Sequence, residues 1–200
     1  MENYHLAESF KIIKSSEDFN IFSELSKDDY KTMRKRIIEC VLATDMTFHA
    51  KQFTYLKVKT ESLGITGGQN VDKILEGLDK MALYSTQQEF LNIIIHACDI
   101  SNPTKPFHIY RKWAERVMEE FWMQGDAERE LGLPISFLCD RTTVSLPGAQ
   151  IGFMDGIVFP FTQALKEIFP SLGFLLENVN NNKAEFKRIK EEEDAKKKTG

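Results

Sequence analysis

Apolar residues recur at intervals of three and four along most of this chain of 200 residues. That spacing places them on one face of an α-helix, whereas the alternating pattern of a half-buried strand is rare here. The pattern therefore predicts an all-α fold, a compact bundle of several helices.

The first part of the chain contains two predicted helices, of which the first covers residues 4–14. Ser26, which is followed by acidic residues, is a suitable N-cap for the second. The apolar periodicity after that cap continues beyond Ala43, so we expect this helix to run on towards Lys59.

A glycine-rich loop is expected over residues 64–70, followed by a short helix over residues 71–81. Ser85 or Thr86 can cap the next helix, which is apolar on most sides and is therefore expected in the middle of the bundle. This helix should stop before Pro103, because a proline disfavours helical backbone in the residue that precedes it.

The second half begins with Pro106, which can start a long helix that ends near Gly125. Residues 131–148 carry prolines and glycines at both ends and indicate a loop. An apolar helix is expected over residues 149–169.

Pro170 then starts the last predicted helix. From Lys183 onward lysines and acids dominate, which is typical of a solvated helix end or a disordered tail. The predicted organisation is one domain over residues 1–182 and a charged C-terminal tail over residues 183–200.

Composition narrows the classes of partner. Lys and Arg number 26 against 30 Asp and Glu, for a net charge of -4, so the chain lacks the basic field that holds nucleic acid. No apolar run approaches the roughly 20 residues of a membrane span. Three cysteines, Cys40, Cys98 and Cys139, are too few for a disulfide framework, and we expect buried or partly buried thiols in the reducing cytoplasm.

Histidines and carboxylates alone do not reveal a complete metal site, because His5, His49, His96 and His108 are scattered and belong to no metal-binding motif. His96 and Asp99 are three residues apart and share a helix face, so a hard divalent cation could use the Asp99 carboxylate. The residues alone favour His96 as a hydrogen-bonded core histidine.

A series of short motifs nevertheless follows one order along the chain. They are ENYHL at residues 2–6, VLATDM at 41–46, HACDISNPTK at 96–105, MEEF at 118–121, QGD at 124–126, ELGLP at 130–134, CDR at 139–141 and QIGF at 150–153. In order and spacing this series resembles the class I cyclic-nucleotide phosphodiesterase catalytic domain. The resemblance covers about residues 2–170 and implies that the chain is the C-terminal, larger part of that all-α domain.

The resemblance implies hydrolysis of a 3',5'-cyclic nucleotide, cAMP or cGMP or both, to the 5'-nucleotide by a two-metal mechanism with zinc and magnesium. Such ions would supply hydroxide at neutral pH and neutralise phosphate charge. Asp99 matches a metal ligand. The positions that match residues touching metal-bound water, or lining the floor beneath it, are Glu2, Thr44, Asp45 and Met46. Ordinary helix-end hydrogen bonding is the alternative for Thr44 and Asp45.

The resemblance also implies a purine site. Gln150 matches a glutamine that reads the base, and its amide can pair with adenine or, when flipped, with guanine. Tyr110 matches a residue that can orient this glutamine. Asn102 matches one that reaches the base edge, and its context leans slightly towards cAMP.

Apolar side chains would hold the two faces of the purine. Phe153 matches an aromatic ring that stacks on the base, and Val117 would lie on the opposite face with Phe121 nearby. Leu138 falls in the loop that would border the pocket. From the residues alone, Phe121 and Phe153 would instead be interpreted as core aromatics.

The family's catalytic histidine and its other metal ligands precede the motif at residues 2–6, so this chain is expected to hold no catalytic acid. We therefore expect a fragment of a full domain with negligible hydrolysis of its own. One alternative is a non-catalytic helical module that binds a nucleotide or a protein. Another is a plain helical scaffold that buries Gln150 and Phe153 in an ordinary core. The expected partner is the cyclic nucleotide, and a homodimer is left open.

Overall fold

A computed structural model describes residues 1–62 and 78–199, except the side chains of residues 60, 62 and 197–199. Every regular element in these ranges is helical, which confirms the all-α class. The chain divides into two compact units, Met1–Asp99 and Ile100–Gly200, and each is described by itself.

The first unit consists of helices joined by short turns. Its helices are α1 (Glu2–Lys14), α2 (Lys27–Leu42), α3 (His49–Ser62) and α4 (Lys80–Asp99), with 3-10 turns at Glu17–Phe19 and Met46–Phe48. Helix α2 packs against α1 and α4, and α3 packs against α4. The predicted Ser26 cap is confirmed, since its hydroxyl oxygen accepts the Asp29 amide at 3.2 Å.

Helix α2 ends at Leu42, so the expected continuation towards Lys59 is wrong. Two local hydrogen bonds explain the stop. The Thr44 hydroxyl donates to the Val41 carbonyl at 2.8 Å, and the Asp45 carboxylate accepts the Thr47 amide at 2.9 Å. Side chains of this kind compete with the helical backbone for its hydrogen bonds, which periodicity alone does not reveal.

Helix α4 begins earlier than expected, and Ser85 and Thr86 lie inside it rather than capping it. Asp79 takes that role, because its carboxylate accepts the Met81 and Ala82 amides at 2.9 and 2.8 Å. The loop expected over residues 64–70, and the helix over 71–81 up to residue 77, lie outside the described residues.

Helix α4 is buried on one face only, so its expected place in the middle of a bundle is wrong. Ile93 and His96 are fully buried, whereas Ile94 and Ile95 are 42% and 40% exposed. Cys98 is also exposed, which corrects the expectation that all three thiols are at least partly buried. Apolar residues all around a helix bury it only where neighbours surround it, and α4 packs against α2 and α3 within its unit.

The second unit is built around its last helix. Its elements are a 3-10 turn at Asn102–Thr104, α5 (Phe107–Glu130), α6 (Leu146–Phe153), a π-helical turn at Met154–Val158, α7 (Phe159–Ile168), a 3-10 turn at Pro170–Leu172 and α8 (Gly173–Thr199). Helix α8 packs against α5, α6 and α7. The core cluster consists of Tyr110, Ala114, Met154, Val158, Val179 and Phe186. Among the described helices, none is both long enough and apolar enough to cross a membrane.

The boundaries of two predicted segments are wrong. Residues 146–148, expected in a loop, form the first turn of α6 because Ser145 caps it. The single helix expected over residues 149–169 is interrupted by the π-helical turn at Met154–Val158. Pro160 lacks the amide hydrogen that would bond the Gly156 carbonyl, so a regular α-helical ladder cannot pass this point.

Helix α8 runs without a break through residue 182, where the charged tail was expected to begin. Phe186 is only 1% exposed, and Ile189 packs against the same core cluster. The packed part of the unit therefore reaches at least Ile189.

Helix α5 continues past Gly125, its expected end, to Glu130. Gly125 lies against the loop that follows α5, and a Cβ atom there would be 1.9 Å from the Cys139 carbonyl oxygen. Backbone atoms cannot yield easily to such a contact, so only glycine allows this close approach.

We predict that Gly125→Ala destabilises the chain by about 1–3 kcal/mol, the usual cost of overpacking. Gly152→Ala is the control, because nothing lies within 4 Å of a Cβ there and alanine favours helix. Urea unfolding followed by circular dichroism measures both variants. Equal midpoints for Gly125→Ala and the wild type would contradict the close contact.

Candidate functional site

All seven residues expected at the purine belong to the unit Ile100–Gly200. They come from the turn Asn102–Thr104, from α5, from the loop before α6 and from α6 itself. In chain order they are Asn102, Tyr110, Val117, Phe121, Leu138, Gln150 and Phe153.

A buried hydrogen bond joins two of these residues. The Tyr110 hydroxyl donates to Gln150 Oε1 at 2.7 Å, and the two residues are 1% and 7% exposed. Burial raises the pKa of Tyr110 far above its ordinary value, so the hydroxyl stays protonated at neutral pH. Because Oε1 accepts this proton, the Gln150 NH2 group is the part of the amide that can donate to a ligand.

The start of α6 determines the position of Gln150 and Phe153. The Ser145 hydroxyl oxygen accepts the Gly148 amide at 3.2 Å, and Pro147 fits the first turn, where an amide hydrogen has no helical partner. Gln150 and Phe153 then share a helix face. Phe153 is half-buried and packs against the core cluster that contains Tyr110.

Val117 and Phe121 lie four residues apart on α5 and therefore share a face of that helix. Both are half-buried, whereas the neighbouring Met118 is only 1% exposed. The two side chains thus border solvent and are accessible to a ligand, unlike residues of a closed core.

Leu138 lies in a loop that α5 holds firmly. It has a φ of 65°, which is the left-handed region that leucine rarely adopts. The Glu128 carboxylate accepts the Ser136 amide and hydroxyl at 2.7 and 2.6 Å, and Arg141 donates to Asp126 at 2.7 Å. These bonds on both sides of Leu138 maintain its unusual backbone.

Asn102 is half-buried in the turn before α5. Its Oδ1 atom accepts a hydrogen bond from Lys105 Nζ at 3.3 Å, and the same ammonium group donates to the Ser101 hydroxyl at 3.0 Å. The side chain is therefore held within its own turn.

The residues expected near the metals all lie in the unit Met1–Asp99, and they are Glu2, Thr44, Asp45, Met46 and Asp99. Thr44 and Asp45 make the local hydrogen bonds that end α2, as the alternative explanation from the sequence held. Met46 is 45% exposed, and Asp99 is exposed on the last turn of α4.

Asp45 lies close enough to Glu2 to affect the pKa of the Glu2 carboxyl. Hydrogen bonds with its own backbone and with the chain's amino group lower the pKa of Glu2, against a smaller opposite effect of Asp45. Hydrogen bonding from Thr47 lowers the pKa of Asp45. Both carboxylates are therefore ionised at neutral pH.

A histidine pair, which the sequence did not predict, links α3 to α4. His49 Nδ1 lies 2.9 Å from His96 Nε2, within hydrogen-bonding distance. Burial lowers the pKa of both residues, and His49 lowers that of His96 further, while Asp99 and a hydrogen bond with the Thr44 backbone raise it. His96 is thus the hydrogen-bonded core histidine that the residues alone favoured, and it connects the region of Thr44 with that of Asp99.

The described residues do not by themselves form the metal centre that the resemblance implies. In the part of the chain that the structure describes, no group of three or more His, Cys, Asp or Glu side chains could hold a metal ion. Asp99 offers one carboxylate, whereas zinc in proteins takes about four ligands. Further ligands would be needed.

Comparison with known proteins identifies the family. The family model described as 3'5'-cyclic nucleotide phosphodiesterase matches residues 1–179. A probable 3',5'-cyclic-AMP phosphodiesterase of Caenorhabditis elegans is 37% identical over 97% of this chain and 28% of its own length. The 3',5'-cyclic-AMP phosphodiesterase 4C of Rattus norvegicus is 37% identical over 92% of this chain and 33% of its own length.

Solved structures give the same result. The phosphodiesterase domain of a Salpingoeca rosetta rhodopsin phosphodiesterase superposes with a TM-score of 0.83 at 30% identity, covering 99% of this chain and 56% of that one. LmjPDEB1 in complex with IBMX gives a TM-score of 0.80 at 30% identity, covering 95% of this chain and 52% of that one.

The chain belongs to the 3'5'-cyclic nucleotide phosphodiesterase family, which confirms the resemblance seen in the motifs. It spans a third or less of the two curated relatives and somewhat more than half of the two solved structures.

We predict that the histidine pair makes the chain sensitive to mild acid. A histidine whose pKa is lowered by folding stabilises the folded state above its unfolded pKa of about 6.5, and this contribution is lost as the pH falls below that value. The free energy of unfolding should therefore fall by about 1 kcal/mol per pH unit for each such histidine.

Urea unfolding between pH 7.5 and 5.0 measures this dependence. His49→Gln should show a shallower decrease than the wild type, whereas His108→Gln, which changes an exposed histidine on α5, should match the wild type. Parallel pH profiles for all three proteins would contradict the effect of the pair.

Proposed function

We propose that this chain supplies the purine-binding part of an enzyme that hydrolyses 3',5'-cyclic nucleotides to 5'-nucleotides. The observation that carries the proposal is the buried hydrogen bond between Tyr110 and Gln150, because it gives the amide a defined orientation beside an accessible aromatic ring, Phe153. The names of the relatives as cyclic-nucleotide phosphodiesterases supply the reaction class.

The roles of the remaining residues follow from their chemistry. Phe153 stacks on one face of the purine and Val117 covers the other, with Phe121 completing the apolar wall. Half-buried aliphatic and aromatic side chains suit this task, because they exclude water from the faces of the base while its polar edge meets an amide. Leu138 borders the same pocket, and Asn102 reaches the base edge.

We propose cAMP as the preferred substrate. Two of the relatives are named as cyclic-AMP phosphodiesterases. A glutamine that reads a base through a buried amide leaves donors or acceptors unpaired when the wrong base enters, and this penalty provides discrimination.

We also propose that the chain takes part in divalent metal binding through Asp99. In the two-metal reaction that we propose, with zinc and magnesium, Asp99 supplies one ligand, while Glu2, Thr44, Asp45 and Met46 lie behind the ligands. The described residues include no group of three or more side chains that could hold a metal ion, so the other ligands would have to come from elsewhere.

The same observation favours a second candidate, a non-catalytic module that binds a nucleotide or a protein. The two candidates predict different results when cAMP is incubated with the purified chain, or with any longer product of the same gene, in the presence of zinc and magnesium. Formation of AMP supports the enzyme, whereas cAMP binding without AMP from either protein supports the module.

We further propose a cytoplasmic location, which suits three cysteines that are all free. The cyclic nucleotide is the proposed partner. A homodimer is tested by light scattering of the purified chain across a range of concentrations.

We predict that Gln150→Ala weakens cAMP binding at least about tenfold, because it removes the buried amide that is proposed to pair with the polar edge of the base. Gln163→Ala, at an exposed glutamine on α7, is the matched control and should bind as the wild type does. Isothermal titration of the purified chain with cAMP measures both. Unchanged affinity in Gln150→Ala would contradict the proposed purine site.

We also predict that Tyr110→Phe reduces the preference between cAMP and cGMP by about threefold to tenfold, since loss of one hydrogen bond frees the Gln150 amide to flip. The ring and its packing stay in place, so the variant should still fold, and circular dichroism checks this. Competition titrations of the two nucleotides provide the ratio. A ratio equal to that of the wild type would show that the Tyr110 hydroxyl does not orient the amide.

A further inference from the structure

Helix α8 presents one stripe of side chains to the region around Asn102 and Tyr110. Asn178, Asn182 and Phe186 recur at intervals of four residues and therefore share a face of the helix. Asn182 and Phe186 are each only 1% exposed. We call these three residues the α8 stripe.

The two asparagines of the α8 stripe bind three consecutive backbone carbonyls. Asn182 Nδ2 donates to the carbonyls of Pro103 and Lys105 at 2.8 and 2.7 Å. Asn178 Nδ2 donates to the Thr104 carbonyl at 2.8 Å. A buried carbonyl without a partner is costly, so these bonds hold the turn against α8.

The same turn orients Asn102. The Lys105 carbonyl accepts a hydrogen bond from Asn182. The Lys105 ammonium group donates to Asn102 Oδ1 at 3.3 Å. The Lys105 amide in turn donates to the Asn102 carbonyl at 3.2 Å. Because Oδ1 already accepts from Lys105, the Asn102 NH2 group is the part of this amide that can donate to a ligand.

Phe186 extends the stripe to the second polar residue of the purine site. Its ring packs edge-on against Phe107 and Tyr110, with ring centroids 5.3 and 5.4 Å apart. Tyr110 is the residue whose hydroxyl donates to Gln150. One face of α8 thus supports both amides that are proposed to read the base, Asn102 and Gln150.

We propose that Asn178 and Asn182 are positioning residues for purine selection, which act through Lys105 and the turn on the amide of Asn102. This inference rests on the proposed purine site and adds to it residues that would not touch the ligand. Helix α8, which resembles a charged tail in the C-terminal half of its sequence, thereby contributes to the choice between purine bases.

Asparagine-to-aspartate substitutions test the donor groups without changing side-chain size. In Asn182→Asp and Asn178→Asp, a carboxylate oxygen replaces the NH2 group and faces carbonyl oxygens. Asn181→Asp introduces the same charge at an exposed position of α8 and is the matched control. Lys105→Met provides a second route, because it removes the ammonium group that bonds Asn102 and leaves the α8 stripe intact.

The first measurement is the ratio of the dissociation constants for cGMP and cAMP. We expect this ratio to change by about threefold or more in Asn178→Asp and Lys105→Met, as for loss of one hydrogen bond, and to stay at the wild-type value in Asn181→Asp. If the asparagines only stabilised the fold, the substitutions would weaken the binding of both nucleotides by the same factor and leave the ratio unchanged. An unchanged ratio in both variants overturns the proposal.

The second measurement is NMR of the Asn102 side-chain amide and of backbone amide exchange across residues 102–110, without any ligand. Asn182→Asp, Asn178→Asp and Lys105→Met should shift the Asn102 resonances, and the two aspartate variants should speed exchange in the turn. Wild-type spectra in Asn178→Asp and Lys105→Met overturn the proposal even if Asn182→Asp fails to fold. If the wild-type chain binds neither nucleotide, the proposed purine site fails, and shifted Asn102 resonances still support the linkage from α8 to Asn102.

Discussion

The buried hydrogen bond between Tyr110 and Gln150 is the constraint on which the second unit depends. Two polar groups in an apolar interior must satisfy each other, and this requirement joins α6 to the first third of α5. The core cluster forms around the tyrosine ring, with Phe186 against its edge. Loss of either polar group would therefore leave the other one buried without this partner.

In the first unit, one buried residue likewise connects several helices. His96 on α4 contacts His49 at the start of α3 and the backbone of Thr44 after α2. Three helices thus meet through one imidazole ring that is fully buried. Thr44 and Asp99, two of the residues that the family resemblance associates with metal chemistry, both interact with His96, so polar contacts as well as apolar burial stabilise this junction.

Features with a direct signal in residue type or spacing were predictable from the sequence, whereas interruptions of the apolar periodicity and contacts between distant residues were not. The all-α class and the Ser26 cap depend on spacing and on a residue three positions away, both of which the sequence displays. The early end of α2 depends on short-range hydrogen bonds, and the break before Pro160 depends on the amide hydrogen that proline lacks; both override the apolar periodicity. The identities of the site residues came from the family motifs, whereas the contact between His49 and His96 joins residues 47 positions apart and leaves no trace in spacing.

The π-helical turn at Met154–Val158 fixes the number of residues that the chain needs between α6 and α7. Each residue rotates a helix by about 100°, so deletion of one residue from this wide turn would rotate the faces of α7 relative to Gln150 and Phe153. Buried positions such as Phe161 and Leu165 would then point to solvent. This segment should consequently tolerate changes of side chain far better than changes of length.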